Sequence, residues 1–336
     1  MDVLVVDDES ISRRAIAHTL SEEGYRVTTA EDGREALSLL REHSHQLVVS
    51  DWRMPIMDGI ELCRAIRAAD MRRYIYFIMV TARNRPIDSI SGFAVGADDF
   101  MAKPFNHSEL IMRVNAGRRI VELETSQTTI FTLAKLAESR DPETGAHLER
   151  VRAYCRALAT QLRTFPEFTD QITDEFIRLI FRTCPLHDIG KVGIPDAILL
   201  KPGKLTPDEF DVMKTHTLLG AETLNAALQE FPNAKFLRMA RDIALTHHEK
   251  YDGSGYPQGL SGTEIPLCGR IVALADVYDV MTSRRVYKQA IGHAEAVAII
   301  MKERGRHFDP AVVDAFLEVE TAFRAIYSKL ADPPRD

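Results

Sequence analysis

Residues 46–59 read QLVVSDWRMPIMDG. A short apolar run ends on an aspartate, and a turn containing Pro and Gly leads into an amphipathic stretch. An apolar run without polar alternation fits a strand buried on both faces, as in a parallel sheet. Asp51 then stands just past the strand's carboxyl end. The same unit recurs on both sides. Strand-like segments lie at 2–6, 25–29, 76–80 and about 98–102, besides the one at 46–50. Amphipathic stretches lie at about 10–22, 33–43, 59–69, 87–95 and 106–120. Repeated βα units of this length imply an α/β, doubly wound, five-stranded parallel domain over residues 1–120.

Polar chemistry collects at the strand ends. Asp7 and Asp8 follow the first strand, Asp51 the third and Thr81 the fourth, and Lys103 precedes Pro104 after the fifth. In open α/β sheets ligands bind outside the carboxyl ends of the strands. Carboxylates gathered on one edge repel one another unless a hard cation sits among them. A site with few protein oxygens and room for water suits Mg²⁺. A lone aspartate after a strand is often only a helix cap, but five groups at the ends of their own strands need another explanation. VVDDE, SDWRMPIMDG, VTA and KPF resemble the receiver domains of two-component response regulators. The resemblance implies that Asp51 accepts phosphate from a cognate sensor histidine kinase and that Asp7 and Asp8 hold Mg²⁺. It further implies that Lys103 contacts the phosphate, that Thr81 switches toward it, and that Phe100 is the second switch residue.

From about 108 to 140 the sequence is helical without a break, with no Pro and one Gly, Gly117. Residues 121–140 read as a helical linker merging into the next domain. The apolar spacing is too irregular for a coiled coil, though pairing with a second copy in a homodimer is expected. Residues 141–336 read as all-α, with helical segments at about 143–164, 172–184, 207–230, 234–249, 266–283 and 293–305. A loop rich in Gly and Pro, KYDGSGYPQGLSGTEI, occupies 250–265.

Eight candidate metal ligands lie in this half. Glu143 and His147 are four apart and share a helix face. His187 and Asp188 are adjacent in HDIGK, His216 opens HTLLG, His247 and His248 open HHEKYDGSGYP, and Asp276 lies in LADVYD. Imidazole with carboxylate suits Fe, Mn, Zn, Co or Ni. A catalytic ion typically takes about three protein ligands, so eight suit two or three ions. A bridged pair ~3.5–4 Å apart activates water and stabilises both oxygens of an in-line phosphoryl displacement. Asp188 can bridge where an imidazole cannot. His18, His43, His45, His107, His293 and His307 read as ordinary surface or core residues.

These residues resemble the HD-GYP branch of the HD-domain phosphohydrolases, whose naming triplet is here Gly255, Tyr256 and Pro257. The resemblance implies hydrolysis of cyclic di-GMP to pGpG, GMP or both. It makes all eight residues metal ligands, with Glu143 the extra one of trinuclear members, and favours iron or manganese. Asp188 and Lys191 would be catalytic. Arg285, Lys288 and Tyr256 would bind substrate, although the usual RPYK reads RVYK here, with Val286 in place of Pro. Cyclic di-GMP and GGDEF-domain proteins become expected partners. The alternative is an output module that binds a cyclic dinucleotide or a protein without turnover.

Net charge is −7 with no Lys/Arg block, which argues against a DNA or RNA polymer partner. An anionic substrate must then be met by local cations. No apolar run reaches the ~18–20 residues of a membrane span. The acidic start, MDVLVVDDE, does not resemble a signal peptide, so a cytoplasmic location without membrane insertion is expected. Cys63, Cys155, Cys184 and Cys268 form no CxxC pair and read as reduced, buried thiols.

Overall fold

A computed structural model of the chain describes residues 1–69, 71, 73–81, 95–140, 146–283 and 290–330, with 123–127 described by their backbone alone. Two compact units divide it, Met1–Thr128 and Thr129–Asp336. In the first, β1 (Asp2–Val6), β2 (Arg26–Ala30), β3 (Leu47–Asp51), β4 (Tyr76–Thr81) and β5 (Asp99–Ala102) form a parallel sheet ordered β2-β1-β3-β4-β5. Each strand begins within one residue of its expected start. Helices α1 (Ser10–Glu22), α2 (Gly33–Glu42) and α3 (Gly59–Ala68) follow the first three strands. The stretch expected to be helical at 87–95 lies, apart from residue 95, outside the described residues.

The strand order reverses direction between β1 and β3, which makes their carboxyl ends the natural ligand site. The turn after β3 is built to hold Asp51 there. Asp58 caps α3 in a capping box with Glu61. Gly59 is required beside it, since a Cβ would stand 2.3 Å from the carbonyl oxygen of Asp51.

The long helical stretch is one helix, α4 (His107–Glu138), and the boundary between the units falls inside it. Leu110, Val114 and Val121 join the core of the first unit, and Ala134 joins a core of the second. Gly117 brings the helix backbone close to β4, where a Cβ would meet the Tyr76 ring at 2.5 Å.

The second unit is helical. It contains α5 (Ala146–Leu162), α6 (Asp174–Thr183), the short α7 (Asp196–Leu199), α8 (Pro207–Lys214), α9 (His216–Glu230), α10 (Lys235–Thr246), α11 (Leu267–Thr282), α12 (His293–Lys302) and α13 (Pro310–Lys329). α11 is buried on nearly every side, and Tyr154, Tyr278, Phe316 and Phe323 interlock around it. The segment expected as one helix over 207–230 is two, because Thr215 (φ −65°, ψ −15°) ends α8 and leaves His216 to begin α9. α13 was not anticipated, although its cap is plain: Asp309 accepts a hydrogen bond from the Ala311 N–H, with Pro310 in the first turn. All four cysteines are buried and free. No helix among the described residues is long and apolar enough to cross a membrane.

Two glycines of the sequence motifs meet here. A Cβ on Gly190 would stand 1.9 Å from the His216 carbonyl oxygen and 2.5 Å from the Gly220 nitrogen. HDIGK and HTLLG thus pack backbone to backbone. Gly190→Ala should destabilise this unit by about 3 kcal/mol, an overpacking cost that adjacent backbone cannot relieve. Chemical denaturation of the full chain checks this, and a change below about 1 kcal/mol would contradict the packing described.

Candidate metal centre and phosphoacceptor site

At the β1/β3 edge Asp7 is buried, Asp51 is largely buried and Asp8 is exposed, and one ligand atom from each lies within 4.8 Å of the others. Lys103 Nζ lies 2.9 Å from Asp7 Oδ2 and 3.2 Å from Asp51 Oδ1. Burial raises the Asp51 carboxyl above its ordinary range, and Lys103 works against that shift. Asp7 is oriented by the Glu9 N–H at 2.9 Å and the Ser12 hydroxyl at 2.6 Å. Thr81 is buried at the end of β4, and the Phe100 ring lies 6.4 Å from that of Trp52. The edge therefore carries a carboxylate cluster fit for a hard cation, with one ammonium reaching both Asp7 and Asp51.

In the second unit, imidazole protons fix the chemistry. Nδ1 of His187, His216 and His247 lies 2.9, 2.8 and 3.0 Å from the carbonyls of Cys184, Met213 and Ile243. A carbonyl only accepts, so each Nδ1 carries a proton and Nε2 is the atom left to ligate a metal. His147 Nδ1 lies 2.8 Å from Asp279 Oδ2, with the same result. Asp279 is itself gripped by the buried Arg150, through Nε to Oδ1 at 2.6 Å and Nη2 to Oδ2 at 2.9 Å. Although burial opposes it, His147 and Arg150 hold the Asp279 carboxyl below its usual range.

The Nε2 atoms converge on carboxylates. Those of His216 and His247 lie 3.2 and 3.5 Å from Asp188 Oδ1 and 3.5 Å from each other. His187 Nε2 lies 3.4 Å from Asp188 Oδ2 and 3.9 Å from Asp276 Oδ1. His147 Nε2 lies 3.5 Å from Asp276 Oδ1 and 3.8 Å from Glu138 Oε1. Two groups of donors result: Asp188 with His216, His247 and His248, and Glu138 with His147 and His187. Asp188 faces the first through Oδ1 and His187 through Oδ2, where Lys191 Nζ also sits, at 2.8 Å.

This geometry fits metal ions. Two lone pairs facing each other at 3.5 Å repel, and a shared cation removes the repulsion. His187 Nε2 and Asp188 Oδ1 are buried without a hydrogen bond among the described residues. Burial disfavours the charged His187 ring, yet Asp188, Asp276 and Glu138 push its pKa up to about 10. A site that draws a proton so strongly suits a metal cation equally. Burial, then the neighbouring His247 ring, hold His248 well below the ordinary imidazole range, so it too is a neutral donor.

The GYP loop is pinned against this centre. Glu249 is buried and accepts hydrogen bonds from the Gln258 N–H at 2.7 Å and the Leu260 N–H at 3.1 Å. A Cβ on Gly255 would stand 2.2 Å from the Lys250 nitrogen, so only glycine fits. Tyr256 stacks on His248 at 4.8 Å and 28°.

Asp188, Lys191, His147, His187, His216, His247, His248, Asp276 and Tyr256 thus come together around one centre. Glu143, Arg285, Val286 and Lys288 lie outside the described residues. Sequence reasoning missed Glu138, Arg150, Asp279 and Glu249. Arg150 and Asp279 follow His147 and Asp276 by three residues on the same helices, a same-face signal open to reading. His45 and His293, read as ordinary, bond to the Thr28 hydroxyl at 2.8 Å and the Tyr278 hydroxyl at 2.8 Å.

Comparison with known proteins places this constellation. Residues 132–312 match the HD domain and residues 3–115 the response regulator receiver domain. The chain belongs to the HD-domain family and carries a receiver domain ahead of its HD domain. One relative is a probable cyclic di-GMP phosphodiesterase of Vibrio cholerae serotype O1, 43% identical over 98% of this chain and 80% of the relative. A second is a cyclic di-GMP phosphodiesterase of Thermotoga maritima, 36% identical over 99% and 94%. A third is the cyclic di-GMP phosphodiesterase response regulator RpfG of Xanthomonas campestris pv. campestris, 37% identical over 94% and 87%. The HD domain implies dependence on divalent metal, and the donor groups for it are present.

Asp279→Asn removes the carboxylate that orients His147 and leaves Arg150 buried beside a neutral group. Metal affinity should fall about 10–100-fold, the usual loss for such an outer partner. Competition with a chromogenic chelator measures this, and unchanged affinity would remove Asp279 from the site.

Proposed function

We propose that this chain is a cytoplasmic response regulator whose second unit hydrolyses cyclic di-GMP to pGpG, GMP or both, under control of phosphorylation at Asp51. The observation that carries the reading is Asp188, whose two carboxylate oxygens face different imidazoles. One carboxylate between two donor groups suits a bridged pair of ions. When bound, such a pair lowers the pKa of water and neutralises charge on a phosphodiester in an in-line displacement.

The residues have separable tasks. His216, His247 and His248 hold one ion with Asp188. His147, His187, Asp276 and Glu138 hold another. Glu143 is the extra donor for a third. The oxygen-rich set favours iron or manganese over zinc. Lys191, beside Asp188, faces the scissile phosphate or its leaving oxygen. Arg285 and Lys288 grip substrate phosphate, as in the matching motif of the family. The relatives named for cyclic di-GMP hydrolysis align along almost the whole chain, which favours turnover over passive binding.

In the receiver unit, Asp7 and Asp8 hold Mg²⁺, Asp51 takes phosphate from a sensor histidine kinase, and Lys103, Thr81 and Phe100 respond to it. A phosphoryl group adds negative charge and strong acceptors at the end of β3, which draw Lys103 away from its pairing with Asp7. The receiver's last helix, α4, continues toward the HD residues, so the chain is expected to signal through it as a homodimer. GGDEF-domain proteins remain candidate partners because they make the proposed substrate.

Two outcomes are expected. Protein prepared without chelators should contain at least two transition-metal ions per chain and hydrolyse cyclic di-GMP. Asp188→Ala should abolish turnover, and wild-type rates in that variant would sink the reading. Separately, beryllofluoride should change the rate or the oligomeric state of wild type but not of Asp51→Asn. Identical behaviour of the two would remove regulation by Asp51 and leave the hydrolase reading standing.

A further inference from the structure

Beside the metal centre lie Phe210 and Lys214, two side chains that none of the assignments above uses. Phe210, on α8, is 46% exposed. Its ring meets that of Tyr256 edge to face, with centroids 6.1 Å apart and planes at 82°. Tyr256 in turn stacks on His248, so ring contacts connect a metal-donor imidazole to the partly exposed Phe210. Lys214, one turn further along α8, places its ammonium 5.4 Å from the Phe210 centroid and 5.9 Å from that of Tyr256. Its ion-pair partner, Asp211, is mostly exposed, so this pair is weak and readily exchanged.

We propose that Phe210 and Lys214 form a purine subsite that binds one guanine of the cyclic dinucleotide, with Phe210 supplying the stacking face and Lys214 a cation for the base edge. The proposal rests on the cyclic dinucleotide reading above and adds to it the means of choosing the base. An exposed aromatic face beside a phosphate-handling centre is what a nucleobase stacks on. An ammonium has donors and no acceptor. Guanine presents two acceptors, O6 and N7, on its outer edge, whereas adenine replaces O6 with a donor amine. Lys214 therefore favours guanine and disfavours adenine. Asp211, next to it, becomes the acceptor that Lys214 leaves when substrate arrives.

The test is steady-state kinetics on the full-length, metal-loaded protein with cyclic di-GMP and cyclic di-AMP. Phe210→Ala should raise KM for cyclic di-GMP about tenfold or more, the size of one base–aromatic stack, with kcat nearly kept. Phe210→Trp should restore KM, which a merely structural role for the ring would not allow. Lys214→Met should lower the preference for cyclic di-GMP over cyclic di-AMP about tenfold. The subsite is overturned if KM in Phe210→Ala stays within about twofold of wild type, if Phe210→Trp fails to restore it, or if Lys214→Met keeps the full preference. Failure of the wider reading looks different: metal-loaded wild type would turn over neither dinucleotide, and the subsite would fall with it.

Discussion

Asp188 is a carboxylate buried among imidazoles whose Nε2 atoms converge on it. The Nδ1 protons of His187, His216 and His247 are committed to backbone carbonyls, so it is the Nε2 atoms that face its oxygens. The carboxylates of Asp188, Asp276 and Glu138 crowd these rings, and Lys191 offsets only part of their charge. The fold must therefore hold these groups in place until cations neutralise them. It does so with close backbone contacts and buried ion pairs rather than with loops. Gly190 seats HDIGK on α9, Arg150 and Asp279 lock His147, and Glu249 ties the GYP loop to the turn bearing His247 and His248. Each of these devices serves geometry at the centre, which accounts for glycines and buried charges that core packing alone would not require.

The receiver unit solves a smaller version of the same problem. Its carboxylates also gather at one edge, but Asp8 is exposed, and Lys103 bridges Asp7 and Asp51 directly. One ammonium thus balances the edge that two buried or half-buried carboxylates share. Gly59 and the Asp58 cap fix the backbone around Asp51.

Much of this was legible in the sequence because it is periodic or local. Buried parallel strands announce themselves as apolar runs, and each acid sits directly after its strand. HDIGK, HTLLG and HHE carry their donors in short strings. The break at Thr215 was not legible, since both halves are helical and periodicity continues across it. Glu138 was not legible either: it closes α4, and an intervening segment separates it from His147, so no spacing rule connects them. Asp279 and Arg150 were readable in principle as same-face neighbours of Asp276 and His147. Without the fold, however, nothing marked them as partners of each other.

The claim on which the account stands is that Asp188 joins two metal ions. X-ray absorption or anomalous diffraction on metal-loaded protein measures this directly. The account predicts two ions ~3.5–4 Å apart, as a bridged catalytic pair requires, with one oxygen of Asp188 on each. A single ion, or two ions too far apart to share a carboxylate, would contradict it.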